Sequence, residues 1–175
     1  MVRLSGPQLR ARAAAIRLVV SDVDGVLTDG GVYYSAAGEE LKRFSMRDGM
    51  GVELLRQAGI RTAFMTREDS PIVAARAKKL KIDALWSGRL DKREALPRLV
   101  TELGVPLGAV AYIGDDVNDL GALGFVAEAG LAVCPADAVP QVAAAAHFVT
   151  AARGGHGAFR ELCDLILHNQ KEHTA

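Results

Sequence analysis

"IRLVVSDVDGVLTDGG" (16–31) decides the fold of this chain. Its first half is a run of large aliphatic residues, the composition of a strand buried on both faces. The run stops at Asp22, Asp24 and Asp29, two and five residues apart, with Gly25 and Gly30 among them. One soluble residue would be enough to end a strand. Open α/β sheets place their ligands just beyond the carboxyl ends of their strands, so a cluster of carboxylates there marks a candidate site.

Working outward, strand-like and helix-like stretches alternate. Further strands are expected at 61–66, 83–87, 109–115, 131–135 and 147–150, and helices at 49–58, 70–80, 92–103, 117–124, 137–145 and 157–169. In the last of these, Phe159, Leu162, Cys163 and Ile166 follow the i, i+3, i+4, i+7 stripe of a half-buried helix. The alternation predicts βαβ units with right-handed crossovers and a three-layer α/β/α, Rossmann-like fold around a mostly parallel sheet. One segment departs from it. Residues 30–46 read as a β-hairpin flap, "VYYS" and "ELKRFS" about a turn at "AAGE". No long insertion follows, so one domain over 1–175 is expected, without a cap domain and with 171–175 frayed.

Composition narrows the function classes. Lys+Arg and Asp+Glu each total 21, for a formal net charge of zero, so no basic excess points to nucleic acid or an anionic membrane. There is no signal-peptide pattern and no apolar run of membrane-spanning length, which makes cytoplasmic residence the expectation. Cys134 and Cys163 lack C-x-x-C spacing and read as small core residues. His147, His156, His168 and His173 show no metal-ligand spacing.

Each strand end can then be read for what it delivers. The first brings Asp22, Asp24 and Asp29, and the second Thr66, Arg67 and Glu68. Lys92 follows the third, and the fourth brings Gly114, Asp115, Asp116 and Asp119. Two unit charges about 4 Å apart repel by roughly 4 kcal/mol at an effective dielectric near 20, so such a cluster needs a cation or protonation. Oxygen ligands without histidine or cysteine imply a hard cation, Mg²⁺ before Ca²⁺, since "DVDGVLTDG" lacks the closing glutamate of a calcium loop. Mg²⁺ with few protein ligands implies a phosphate-bearing partner, and the Lys92 ammonium and Thr66 hydroxyl suit phosphoryl oxygens. Singly, each residue has an ordinary explanation: Asp29 as a turn residue, Thr66 as a helix cap, "GDD" as an Asx turn, Lys92 as a solvated lysine. Their arrival in order at successive strand ends does not.

The order "DVDGVLT" (22–28), Thr66, Lys92 and "GDDVND" (114–119) resembles the haloacid dehalogenase superfamily of phosphohydrolases. More narrowly, "DVDGVLTDGGVYY", "GEELKRFSMRDGMGVELL", "VAYIGDDVNDL" and "GGHGAFRELCDLIL" are similar to its capless branch. That branch contains the 3-deoxy-D-manno-octulosonate (KDO) 8-phosphate phosphatases and the N-acylneuraminate/KDN 9-phosphate phosphatases. The resemblance implies an aspartyl-phosphate mechanism, with Asp22 as nucleophile and Asp24 as general acid and base. It implies Mg²⁺ on Asp22, the Asp24 carbonyl and Asp115, with phosphoryl oxygens on Thr66 and Lys92. Asp119, and less directly Asp116, would orient the metal shell or Lys92. It further implies a homotetramer in which hairpins associate and a neighbour's 153–169 segment, beginning "RGGHG", helps close each site on a small sugar phosphate.

Specificity is then expected from loops. "SMRDG" (45–49) matches the branch's sugar-facing loop, making Arg47, Asp48 and Gly49 candidate substrate contacts. After strand two this chain reads "TRED" where the octulosonate enzymes read Thr-Gly-Arg; Arg67 replaces the glycine and Glu68 the arginine. A glutamate there resembles the nine-carbon enzymes, which pair it with an arginine and a lysine. Arg76 and Lys79, three apart on one helix, match those positions, although "ARAKKLK" also reads as an ordinary solvated face. The pattern leans toward a nine-carbon acid and leaves the eight-carbon acid open. Two rivals remain: a capless phosphatase for another small phosphorylated metabolite, and a catalytically quiet Rossmann-like assembly module. A receiver domain fits less well, because its phosphoacceptor ends strand three, and here strand three ends in "WSG".

Overall fold

The computed structural model describes residues 4–88 and 91–174. Six strands form one sheet: β1 (Leu18–Ser21), β4 (Arg61–Met65), β5 (Ala84–Trp86), β6 (Val110–Ile113), β7 (Leu131–Cys134) and β8 (Phe148–Val149). Their order is β5-β4-β1-β6-β7-β8, and every neighbouring pair is parallel. The chain builds outward from β1 on one side, then crosses to β6 and builds outward on the other. The order therefore reverses between β1 and β6, and a crevice at their carboxyl ends follows from the topology.

The period-2 alternation of strands sorts the core into two layers. Val19, Phe64, Ala111, Ile113, Leu131 and Val133 face α1 (Gly6–Ala15), α2 (Met46–Gln57), α3 (Pro71–Leu80) and α7 (Ala158–Thr174). Leu18, Val20, Met65, Tyr112 and Cys134 face α4 (Lys92–Glu102), α5 (Leu120–Ala127) and α6 (Pro140–Ala145). Helices on both faces of a parallel sheet give the expected three-layer architecture. Both cysteines are buried and neither is in a disulfide among the described residues. No helix of the described residues is long and apolar enough to cross a membrane.

Three local differences from the sequence reading have clear causes. α1 carries few large apolar residues and so leaves no periodic signal; instead Gln8 Oε1 accepts from Ser5 N at 3.0 Å, and Arg12 donates to Ala127 O at 3.0 Å. α2 begins at Met46, because Ser45 Oγ accepts from Arg47 N at 3.2 Å and Asp48 N at 3.3 Å. "SMRDG" is therefore an N-cap and first helical turn. Residues 117–124 start as a 3₁₀ turn, Val117–Asp119, before α5, because Asp116 accepts from Val117 N at 2.6 Å.

The hairpin is confirmed as β2 (Thr28–Ser35) against β3 (Gly38–Phe44), antiparallel and forming a sheet of its own. The register pairs Tyr33 with Leu41 and Val32 with Lys42. The first pair points outward, Tyr33 67% and Leu41 63% exposed, while Lys42 points inward and is buried.

Candidate active site

β1 and β6 end side by side, so the loops that leave them meet. Asp22 follows Ser21, its amide donating to Ile113 O on β6 at 2.9 Å. Gly25 then lets the chain double back. Its φ is +87°, and a Cβ added there would lie 2.0 Å from Asp115 Oδ2. Only glycine allows the first acidic loop to approach the second this closely. The loop is pinned from behind by the "RGGHG" segment, where Gly155 N donates to Val26 O at 2.8 Å and a Cβ on Gly154 would meet Gly25 O. That segment, expected to help close a neighbour's site, is bonded in this chain to its own acidic loop.

Side chains from four elements converge in the crevice. Lys92, at the start of α4 and 0% exposed, lies 2.7 Å from Asp22 Oδ1 and 2.7 Å from Asp119 Oδ1. Asp91 caps that helix by accepting from Arg93 N at 2.9 Å, which fixes the turn bearing Lys92. Asp119 is fully buried and saturated. Its Oδ1 also accepts from the Tyr112 hydroxyl at 2.5 Å, and its Oδ2 from the amides of Asp115 at 3.0 Å and Asp116 at 3.3 Å. Thr66 is buried at the end of β4, its hydroxyl oxygen accepting from Glu68 N at 3.1 Å. Asp116 is exposed and bonds Val117 N at 2.6 Å, so its visible work is to start the 3₁₀ turn.

The electrostatics match this geometry. Burial raises the Asp22 carboxyl well above its ordinary value, Asp119 adds to the rise, and Lys92 opposes it. Burial works against the Lys92 charge, but Asp22 and Asp119 outweigh it and hold its pKa above the ordinary value. Asp115 is pushed up to about 7, first by burial and then by Asp119. Crowded carboxylates that resist ionisation are what a cation would relieve. Asp22, Asp115 and Asp119 each place a carboxylate oxygen within 4.8 Å of the others. Asp119 has both oxygens engaged, whereas Asp115 Oδ1 is buried with no hydrogen-bond partner among the described residues. The donor set thus fits a hard divalent cation on Asp22 and Asp115, with Asp119 holding the set together.

A cavity of about 890 Å³ opens above the carboxylates, lined by Asp22, Asp24, Gly25, Thr66, Arg67, Glu68, Asp115 and Asn118 among others. Of the residues expected to touch a sugar, only Glu68 faces it. Asp48 is buried in α2, accepting from Gly157 N at 3.3 Å and Arg160 N at 2.8 Å. Arg47 lines a separate hollow with Arg43, Phe44, Gly155 and His156. Arg76 lies across Gly49, donates to Ser45 O at 3.2 Å and sits 5.5 Å from the Phe44 ring centre. Lys79 is exposed on α3. The structure thus brings Asp22, Asp24, Thr66, Lys92, Asp115 and Asp119 together, and does not gather Glu68, Arg76 and Lys79 into one cluster.

A model of haloacid dehalogenase-like hydrolases matches residues 59–162. The chain belongs to this family. It is 45% identical over 156 residues to the 3-deoxy-D-manno-octulosonate 8-phosphate phosphatase of Yersinia pestis, covering 89% of this chain and 82% of that one. The like-named enzyme of Moraxella catarrhalis, solved with magnesium, phosphate and KDO, superimposes with a TM-score of 0.90 at 39% identity, over 96% of this chain and 95% of that one. A cobalt-bound relative from Haemophilus influenzae gives 0.87 at 42%, over 91% and 92%. This haloacid dehalogenase-like chain is a phosphatase.

Two residues of the phosphatase site escape a reading by motif. Tyr112 lies mid-strand, where a buried aromatic looks like core. Lys42 lies on β3 beside an exposed leucine, its ammonium 2.6 Å from Asp24 Oδ1 and 3.1 Å from Glu39 Oε2. Burial works against that charge, but the bonds from Asp24 and Glu39 outweigh it and raise the pKa. Alternation alone would bury Leu41, so no local pattern identifies Lys42. Asp29, expected as a turn residue before the hairpin, instead lies within β2, where it accepts from Gly31 N at 3.2 Å and pairs with Arg43.

Proposed function

We propose that this phosphatase is a cytoplasmic, Mg²⁺-dependent phosphomonoesterase that hydrolyses KDO 8-phosphate through a phosphorylated Asp22. One observation carries the reaction: Asp22 stands at the β1/β6 crevice, its Oδ1 fixed by Lys92 at 2.7 Å and by Val23 N at 2.7 Å. A carboxylate so held at the ligand end of the sheet supports a nucleophilic role. Asp22, the Asp24 carbonyl and Asp115 would hold Mg²⁺. When bound, the ion would offset the charge of carboxylate and phosphate as they approach. An ammonium has three donors. Lys92 gives two to Asp22 and Asp119, and its third would take a phosphoryl oxygen. The Thr66 hydroxyl, already accepting from Glu68 N, has its own proton to donate to another. Asp24 would protonate the departing alkoxide and then take a proton from the attacking water.

Substrate choice rests on the relatives, which are octulosonate enzymes at 45% and 39% identity, and on Arg76 being engaged by Ser45 O and Phe44. Arg67, Glu68 and Asn118 at the cavity mouth would meet the sugar acid. Tyr33, Tyr34 and Leu41 on the hairpin are 67%, 69% and 63% exposed, and support hairpin-to-hairpin association into a homotetramer.

Phosphate release tests both parts. Asp22→Asn should lower Mg²⁺-dependent turnover by at least about 10⁴-fold. Near-normal turnover would remove the covalent mechanism. Wild-type kcat/KM should be highest for KDO 8-phosphate; preference for a KDN or N-acetylneuraminate 9-phosphate would overturn the substrate while leaving the chemistry standing. Light scattering reads the oligomer.

A further inference from the structure

The hairpin has no strand of the main sheet beside it, so its seat on the core depends on side-chain links. Lys42 makes the central one. Its side chain is 1% exposed, and its ammonium bridges Asp24 Oδ1 at 2.6 Å and Glu39 Oε2 at 3.1 Å. Glu39 Oε1 accepts from the hydroxyl of Ser70, the N-cap of α3. The chain Asp24–Lys42–Glu39–Ser70 thus runs from the crevice, through the flap, to the end of the loop that carries Glu68.

Lys42 takes only one oxygen of Asp24. The other, Oδ2, is buried and has no hydrogen-bond partner among the described residues, while Asp24 itself lines the cavity. A carboxyl group clamped at one oxygen cannot turn freely about its Cβ–Cγ bond, so the second oxygen keeps one direction. We propose that Lys42 is a positioning residue: it clamps Asp24 Oδ1 so that Oδ2 exchanges the proton with the ester oxygen, and it ties this geometry to the hairpin and to the start of α3. The proposal rests on Asp24 being the proton-transfer group. In the first step the phosphorus–alkoxide bond breaks, the Asp22–phosphorus bond forms, and the Asp24 proton goes to the departing oxygen. In the second, water bonds to phosphorus, the Asp22–phosphorus bond breaks, and Asp24 takes a proton from that water. Lys42 forms and breaks no covalent bond. It holds the carboxylate that stands between the two steps.

Leaving-group dependence tests this. The 4-nitrophenolate ion leaves without protonation, whereas a sugar alkoxide needs a proton. The reading is kcat/KM, which covers only the steps up to leaving-group departure. Lys42→Met should lower kcat/KM for KDO 8-phosphate, or another alkyl phosphate the wild type turns over, by about 10²-fold, and that for 4-nitrophenyl phosphate by less than about threefold. Lys42→Arg should restore part of the loss. Glu39→Gln, which keeps the hairpin's size, should show the same selectivity in smaller measure. Asp24→Asn is the reference and should lose alkyl esters selectively. If it does and Lys42→Met lowers both esters equally, the positioning role is overturned, since a folding defect does not distinguish leaving groups. If Asp24→Asn itself lowers both equally, the proton-transfer assignment fails and takes the proposal with it. Should Lys42→Met not fold, Glu39→Gln decides: a selective loss supports the role and an equal loss overturns it.

Discussion

Two buried lysines serve this site from opposite sides, and they are anchored very differently. Lys92 opens a helix packed into the α4–α5 layer, and its two carboxylate partners are themselves fixed, Asp119 by Tyr112 and two backbone amides. Lys42 belongs to a two-stranded flap, and its partners are Asp24 and a glutamate of the same flap. The groups assigned to attack and phosphate binding are therefore rigid by virtue of the core. The group assigned to proton transfer depends on an element that lies outside the main sheet. If those assignments hold, the leaving-group half of the chemistry would answer to the hairpin and the phosphoryl half to the core.

Removing the core lysine should have the largest effect. Lys92→Met leaves Asp22 and Asp119 buried without their counter-charge, and breaking a buried pair in this way costs about 3–5 kcal/mol. For a chain of this size that is roughly 6–20 °C in Tm. The sign of its pH dependence follows from the carboxylates. The Asp22 carboxyl, already raised by burial, rises further without the ammonium, and a raised carboxylate costs stability increasingly as pH climbs from its unfolded value, about 4, toward its folded one. The deficit should be greater at pH 8 than at pH 5. A variant melting with the wild type at pH 8 would contradict this account of the core side.

The same contrast explains what was legible in the sequence. Strands β1, β4, β6 and β7 announce themselves because a buried parallel strand is a continuous apolar run, and Asp22, Thr66, Lys92 and Asp115 are found because such strands must end in the crevice. Asp119 follows from its spacing after Asp115. Lys42 does not, because on a solvated hairpin the side turned inward is set by how the flap lies on the core, and here it is the lysine side rather than the Leu41 side. Asp48 and Arg76, offered as substrate contacts by the resemblance, are bonded in this structure to Arg160 N and Ser45 O, contacts that no local pattern announces.

A second effect, of intermediate size, separates the two halves by metal. Asp115 stands at about 7 without a cation. Its protonated form is favoured by the fold, so its contribution to metal-free stability is largest below about pH 4 and declines as pH rises to about 7. Mg²⁺ must displace that proton. Apparent affinity should fall about tenfold from pH 8 to pH 6, equivalent to about 1.4 kcal/mol of binding energy. At a fixed, near-saturating Mg²⁺ concentration the rise in Tm should be about 3–6 °C larger at pH 8 than at pH 6. A pH-independent rise would show that Asp115 does not meet the ion. Lys42→Met, on the flap side, should leave the difference intact.

The smallest expected effect probes the far end of the flap's chain. The Ser70 oxygen does two things at once: it accepts from Val73 N at 3.4 Å as the cap of α3, and its hydroxyl donates to Glu39. Ser70→Ala loses both, and losing a cap alone costs about 1 kcal/mol, or some 2–4 °C. Ser70→Asn keeps a capping acceptor but changes the group offered to Glu39. If the network reaches Asp24, both variants should lower alkyl-ester kcat/KM more than aryl-ester kcat/KM, by a few-fold, and only Ser70→Ala should lower Tm. If Ser70→Ala lowers Tm with no selectivity between esters, Ser70 is a helix cap alone and the flap's influence on proton transfer ends at Glu39. That outcome would shorten the adjustable half of the site to a single salt-bridged pair, and would place the flap's control of Asp24 wholly within β3.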